Sequence, residues 1–250
     1  MQKVDFSLIL ACYNESTTFE KSVREIVSVL NNLKRNWEII FVEDKSTDET
    51  KKSVEKLARE IENAQLRQGY AGQVRAIFHT KNEGRGKSVS DGIKAAKGII
   101  CGYLDVDLEV SASYIPLFVE EIEKGSDMVI GKRFYESNFK SMIRFIASKF
   151  YSTLVKTILN IPIEDTEAGY KFLKRHKILP ILSKVQDKHW FWDTEICTRA
   201  YWKGLKISQV PVLFVKRKDK KSTVKLIPDS WNYLIKLLKF KSEVPKTIYK

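Results

Sequence analysis

The sequence predicts an α/β protein: a mostly parallel sheet flanked by helices, with an amphipathic helix towards the C-terminus. Strand-length apolar runs alternate with helical stretches through the first half of the chain, at the spacing of right-handed βαβ crossovers. The run Ile99–Leu104 is apolar throughout, as a strand covered on both faces must be. Acidic residues follow the strands at Glu15, at Glu43-Asp44 and at Asp105-Val106-Asp107, and open sheets bind ligands at that carboxyl edge.

The elements follow in order. Phe6–Ala11 reads as a strand, Thr18–Asn32 as a helix, Glu38–Glu43 as a strand, and Asp48 to about Gln65 as a helix. A polar loop over Gln65–Gly72 leads to the strand Val74–Phe78, the helix Lys87–Ala96 and the strand Ile99–Leu104. A helix near Ser113–Lys124 and a strand over Asp127–Gly131 complete the alternating part. Beyond about residue 135 the pattern changes. Phe139–Asn160 reads as a long helix, with Met142, Ile146, Phe150, Leu154 and Ile158 recurring at i+4 beside Lys140, Arg144, Lys149 and Lys156. A short strand-like piece lies within Glu164–Lys174, and Asp193–Lys203 looks helical. Lys206–Val215 is a strand, and Pro228–Phe240 a final amphipathic helix.

Composition narrows the class. No apolar stretch reaches the roughly 18–20 residues that span a bilayer. The N-terminus enters a strand directly without a signal-peptide core, and Cys12, Cys101 and Cys197 are odd in number and far apart. The expectation is a cytoplasmic protein with reduced thiols. A net charge of +13 favours anionic partners: nucleotides, nucleic acid or an anionic membrane face. His79, His176 and His189 show no metal-ligand spacing and read as ordinary loop or strand-end residues.

The acid pair Asp105 and Asp107, with Glu109 next in register, is the most informative motif. Mg²⁺ and Mn²⁺ prefer hard oxygen ligands, and one or two carboxylates plus substrate phosphates make a typical site. Helix capping is the competing reading for an isolated pair of this kind. Ser46 through Glu49 has the form of a capping box, and Asn14 or Ser16 is placed to cap the first helix. The segment Asn82-Glu83-Gly84-Arg85-Gly86-Lys87-Ser88 lacks the first glycine of a P-loop, whose position is Lys81, and it does not fit the dinucleotide glycine pattern. It remains a basic loop opening a helix, where a phosphate is well received.

Taken in order, these segments resemble the inverting family-two nucleotide-sugar transferases of GT-A fold, of the dolichyl-phosphate mannose or glucose synthase type. The matching blocks are Tyr13-Asn14-Glu15, Glu43 to Asp48, Asn82 to Lys87, Asp105 to Glu109 and Gly131-Lys132-Arg133. They continue with Asp165 to Phe172, Trp192 to Glu195, and Val210-Pro211-Val212 running to Arg217 and Ser222. The resemblance implies a GT-A (Rossmann-like) catalytic domain over residues 1–225, followed by the amphipathic helix and tail over 226–250. Ala11, Tyr13, Glu15 and Asp44 would hold base and ribose, with Lys87, Asp105, Val106, Arg133 and Lys225 completing the nucleotide site. Asp105, Asp107 and Glu109 would hold Mg²⁺ or Mn²⁺, and the catalytic residues would be Asp107, Asp193 and Arg217. Three departures stand out. Ala11 replaces a usual Pro, Glu43 replaces the first Asp of an acidic pair, and Lys221-Ser222-Thr223 replaces a Gly-Ser-Lys pattern. The last leaves Lys221 and Lys225 as alternatives for a second phosphate cation.

The expected reaction moves a sugar, with inversion, from a nucleoside-diphosphate donor to a polyprenyl phosphate at the cytoplasmic membrane face, with the protein held there peripherally. An acceptor phosphate is already anionic, so no base is required. Asp193 becomes the candidate base if the acceptor is a hydroxyl. The rivals are a soluble sugar or protein acceptor, a nucleotidyltransferase, and a basic nucleic-acid-binding protein. The nucleotidyltransferase reading lacks its Gly-rich, Lys-containing N-terminal loop. The nucleic-acid reading lacks any helix-turn-helix, RNP or zinc-finger pattern, so no nucleic acid is expected as partner.

Overall fold

The computed structural model describes residues 3–68, 72–135, 151–217 and 226–242. Seven strands form one sheet in the order β3-β2-β1-β4-β6-β5-β7. They are β1 (Phe6–Cys12), β2 (Trp37–Glu43), β3 (Gln73–Phe78), β4 (Ile100–Leu104), β5 (Met128–Tyr135), β6 (Tyr170–Lys174) and β7 (Ile207–Phe214). All neighbours run parallel except at β6, which is antiparallel to both β4 and β5. The helices are α1 (Phe19–Asn31), α2 (Thr50–Gln68), α3 (Arg85–Ala95), α4 (Ile115–Glu123), α5 (151–159), α6 (Arg175–Leu182), α7 (Trp192–Trp202) and α8 (Leu226–Ser242).

Strand alternation divides the core in two. Phe6, Leu8 and Leu10 of β1 face one side, where Val23, Ile26 and Leu30 of α1 and residues of α2 and α4 cover them. Ile9 of the same strand faces the other side with Cys101 and Tyr103 of β4, beneath α3, α5, α6, α7 and α8. The apolar spacing of α1, at i, i+4, i+7 and i+11 from Phe19, is the one-face stripe that such burial requires.

Several elements differ from expectation. Strand β5 runs on through Lys132 and Arg133 to Tyr135 because β7 pairs with its whole length, although polar residues break the apolar run. Helix α6 was absent from the sequence reading, being short and carrying Pro180 in its interior. Arg175 at its start donates from Nε to Ile93 O (3.2 Å) and from Nη2 to Lys94 O (3.1 Å), satisfying carbonyls at the end of α3. Glu38 is fully buried in β2, where it accepts from Ser7 Oγ (2.6 Å), Lys97 N (2.6 Å) and Arg75 Nη2 (2.6 Å). Of the predicted helix Phe139–Asn160, only the part from residue 151 lies within the described residues.

Helix α8 is apolar on two faces, not one. Tyr233, Leu237 and Phe240 are buried, with the Tyr233 ring edge-on to Phe191 at 5.0 Å and Phe240 stacked on Trp202 at 5.2 Å. Trp231, Ile235 and Leu238 form a second stripe, 65%, 51% and 52% exposed. Adjacent leucines therefore separate the two roles. Leu237→Ala is expected to cost about 2–5 kcal/mol in urea unfolding, through lost burial and a residual cavity, whereas Leu238→Ala should fall within about 0.5 kcal/mol of wild type.

Candidate functional site

The carboxyl edges of β1, β2, β4 and β5 converge on one side of the sheet. Antiparallel β6 begins at that same edge, with Tyr170 opposite Leu104. A cleft there is lined by Asp105, Asp107, Glu109, Arg133, Gly169 and Phe214 among others. Chain reversal through β6 thus brings the segment 165–170 against the acid pair.

At the end of β1, Tyr13 is exposed and Ala11 is half-buried against the second core. Asn14 takes a positive φ of 55° and ties two loops together. Its Oδ1 accepts from Thr47 N (2.8 Å), and its own N–H donates to Ser46 Oγ (3.1 Å). Glu15 N donates to Thr50 Oγ1 (2.8 Å), placing Glu15 beside the start of α2. The expected caps change hands. Asp48 Oδ1 receives Thr50 N (2.9 Å) at the start of α2, so Ser46 is released to hold the β1 loop, and α1 has no side-chain cap.

Asp44 is 3% exposed, and its carboxylate is consumed within the protein. Oδ1 receives Glu83 N (2.8 Å) and lies 2.7 Å from His79 Nδ1, while Oδ2 receives Gly84 N (2.8 Å). This corrects the expectation that Asp44 touches the base: it pins the turn that opens α3. Gly84 sits there at φ 99°, a region glycine enters without strain. His79 is likewise no ordinary strand-end residue, since Nε2 lies 3.2 Å from Asp91 Oδ2. Lys87 is paired with that same Asp91, one turn along α3, which places it beside this buried cluster rather than at the acid pair.

Residue Arg85, overlooked as a site residue, joins the two halves of the site. Nε (2.9 Å) and Nη2 (2.7 Å) both reach Asp105 Oδ1, and Nη1 is hydrogen-bonded to Asp193. Asp193 is 2% exposed and also receives Tyr103 OH (2.9 Å) and Lys171 Nζ (2.6 Å). Burial alone would raise the Asp193 carboxyl, but Arg85 first and then Lys171 hold it below the usual carboxylate range. A carboxylate so paired is a weaker proton acceptor than a free one, which bears on its expected role as base for a hydroxyl acceptor. Lys171 was readable in principle: a lysine inside Tyr170-Lys171-Phe172 occupies a fully buried strand position and needs a buried acid.

The remaining assignments divide. Arg217 does meet the acid loop, with its N–H on Glu109 Oε1 (3.2 Å) and Nη1 on Asp107 O (3.0 Å). Arg133 lines the cleft, but its fork is held by Asp165, Nε at 2.8 Å and Nη2 at 2.8 Å. Its neighbour Glu167, half-buried, is pushed up to about 7 because burial outweighs the pull of Arg133. Val106, between the two acids, buries its side chain in the first core at 2% exposure, so only its backbone is left to the cleft. Lys225 and Lys221 lie outside the described residues.

Among the described residues no group of three His, Cys, Asp or Glu side chains is placed to hold a metal ion. Glu109, expected as a third metal ligand, lines the same cleft, with Oε1 accepting the Arg217 N–H (3.2 Å). What remains, Asp105 and Asp107 on one strand end, fits Mg²⁺ or Mn²⁺ of the kind completed by substrate phosphates and water. Gly169 closes against this pair, since a Cβ there would lie 1.9 Å from Asp105 Oδ2.

Residues 7–178 match the family described as Glycosyl transferase family 2, and the chain belongs to that family. Glycosyltransferase AglD of Haloferax volcanii is 29% identical over 223 residues, 87% of this chain and 34% of that protein. A dolichyl-phosphate beta-glucosyltransferase of Saccharomyces cerevisiae is 27% identical over 228 residues, 84% of this chain and 67% of that protein. The chain thus spans about a third of the first relative and two thirds of the second. The fold matches glucosyl-3-phosphoglycerate synthase of Mycobacterium tuberculosis in complex with Mn²⁺, UDP and glucosyl-3-phosphoglycerate, at TM-score 0.65 and 17% identity over 97% of this chain and 81% of that one.

The Asp193 contacts generate a stability prediction. Because its folded-state pKa is lowered, these contacts stabilise the fold above the unfolded-state carboxyl pKa of about 4 and are lost as pH falls through the folded value. Asp193→Asn leaves Lys171 and Arg85 without their shared acid. It should cost about 3–5 kcal/mol at pH 7 in urea unfolding, with the gap to wild type narrowing in acid.

Proposed function

We propose that this protein transfers a sugar, with inversion, from a nucleoside-diphosphate sugar of GDP-mannose or UDP-glucose type to a polyprenyl phosphate at a membrane surface. The observation that carries the reading is the acid pair Asp105 and Asp107 at the carboxyl edge of β4, with Arg85 and Arg217 against it. The reaction builds charge on the departing diphosphate, and preorganised cations stabilise that charge most when water is excluded. Asp105 and Asp107 would hold a divalent ion, which would supply Lewis-acid stabilisation of the charge on the leaving diphosphate. Arg217 is anchored on the acid loop and in this reading pairs with phosphate oxygens there, as a guanidinium does bidentately.

The acceptor assignment draws support from Asp193. Its commitment to the buried Lys171 and to Tyr103 suits an acceptor that arrives already ionised and needs no base. The name of the yeast relative points to the same acceptor chemistry. Trp231, Ile235 and Leu238 on α8, flanked by exposed Lys239 and Lys241, supply apolar area and positive charge for docking on an anionic bilayer. No helix among the described residues is long and apolar enough to cross a membrane.

Purified protein is to be incubated with Mn²⁺ and either GDP-mannose or UDP-glucose, against a polyprenyl phosphate and against a water-soluble hydroxyl acceptor. Turnover is expected with the lipid phosphate and one donor. Asp107→Asn should lower it by about 10²–10³, the range for removing one group that stabilises developing charge. Transfer to the soluble hydroxyl alone would overturn the acceptor reading, and full activity in EDTA would overturn the metal reading. In a separate measurement, the protein should co-sediment with anionic liposomes at low salt and release as salt rises. Replacing Trp231, Ile235 and Leu238 by Ser should weaken that binding while leaving the urea midpoint close to wild type, because these side chains are exposed.

A further inference from the structure

The acid expected to receive a metal is already engaged. Arg85 spends two of its donors on Asp105 Oδ1 and a third on Asp193. Its guanidinium lies 5.8 Å from the ring centroids of both Tyr103 and Trp190. Aromatic faces attract a cation without dictating which carboxylate it serves, so the two rings form a track along which the guanidinium can shift. Asp193 would keep Lys171 and Tyr103 if Arg85 moved, so leaving it strands no buried charge. Both donors that Arg85 gives Asp105 go to Oδ1, so a metal arriving alone at Asp105 must share the carboxylate with the guanidinium or displace it, and in either case two like charges meet on one acid. A diphosphate removes that penalty, because it offers the guanidinium a bidentate partner.

We propose that Arg85 is a positioning residue that competes with the divalent cation for Asp105 and thereby couples metal binding to nucleotide binding. In the free protein it stands in for the metal. With a nucleoside diphosphate present it passes to the phosphates, and Asp105 passes to the metal. Linkage makes the effect reciprocal: each ligand tightens the other by the same factor. The proposal rests on the assignment of the metal to Asp105 and Asp107 made above.

The test reads binding without turnover. Mn²⁺ binding to the nucleotide-free protein is followed by electron paramagnetic resonance of the unbound ion. Binding of UDP and of GDP is followed by calorimetry in saturating Mn²⁺ and in EDTA. In the wild type, Mn²⁺ should tighten the favoured nucleotide by a factor within about 5–150, the usual span of a coupling free energy. Arg85→Gln should bind Mn²⁺ alone several-fold more tightly than wild type and show a smaller coupling, the remainder coming from direct contact between the ion and the phosphates. Arg85→Lys, which keeps the charge but not the fork, should lie between them, and it replaces Arg85→Gln should that variant fail to fold. A glutamine variant that binds Mn²⁺ alone no better than wild type, or keeps its full coupling, overturns the proposal and leaves the metal site standing. Absence of Mn²⁺ binding by every protein, with and without nucleotide, overturns the metal site and the proposal together.

Discussion

Negative charge is gathered at one edge of a parallel sheet, and the need to neutralise it organises the neighbourhood. Asp105 and Asp193 sit close enough to share Arg85, and Asp193 is buried deeply enough to require Lys171 as well. Lys171 is the costliest part of this arrangement. It is a fully buried lysine in the middle of a core strand, tolerated because Asp193 and the Ala168 carbonyl accept hydrogen bonds from its ammonium. The cluster links β4, β6, α3 and α7, so the site and the packing of the second core are one structure.

A second buried polar cluster does a different job. Asp44, His79 and Asp91 fasten the end of β2 to the end of β3 and to the first turns of α3. Asn82 adds a bond from Nδ2 to Asp44 O at 3.2 Å. The turn held in this way delivers Arg85 to Asp105. One arginine of the site therefore owes its aim to a carboxylate that never faces the cleft.

The legible part of the molecule was whatever lies within one element. Apolar runs with acids at their ends disclosed the parallel strands and the edge where Asp105 and Asp107 stand. The unread part depends on which elements meet. Arg85 reaches an acid 20 positions ahead and another 108 ahead, and no local pattern announces either contact. The side chains of Asp44 and Val106 face inward, because the register of β2 and the turn after β4 decide their direction. Pro180 hid α6, and the polar pair Lys132-Arg133 hid the second half of β5, since pairing with β7 overrode local preference. The interior lysine at 171 was visible, but its acid was not.

The place of β6 in the sheet has a consequence for how the chain acquires its shape. Strand β4 pairs with β1 on one side, but its other side waits for residues 170–174, far along the sequence. Until those residues are made, Ile100–Leu104 is an apolar edge with unpaired backbone groups, the kind that recruits foreign strands. The N-terminal half can lay down β1 to β4 from nearby pairings, yet its sheet stays open at the middle. Closure needs a contact of long sequence separation, which makes it a late and slow event during synthesis. Damage to β6 would therefore leave an apolar strand edge exposed in newly made chains, and would also remove Lys171 from Asp193.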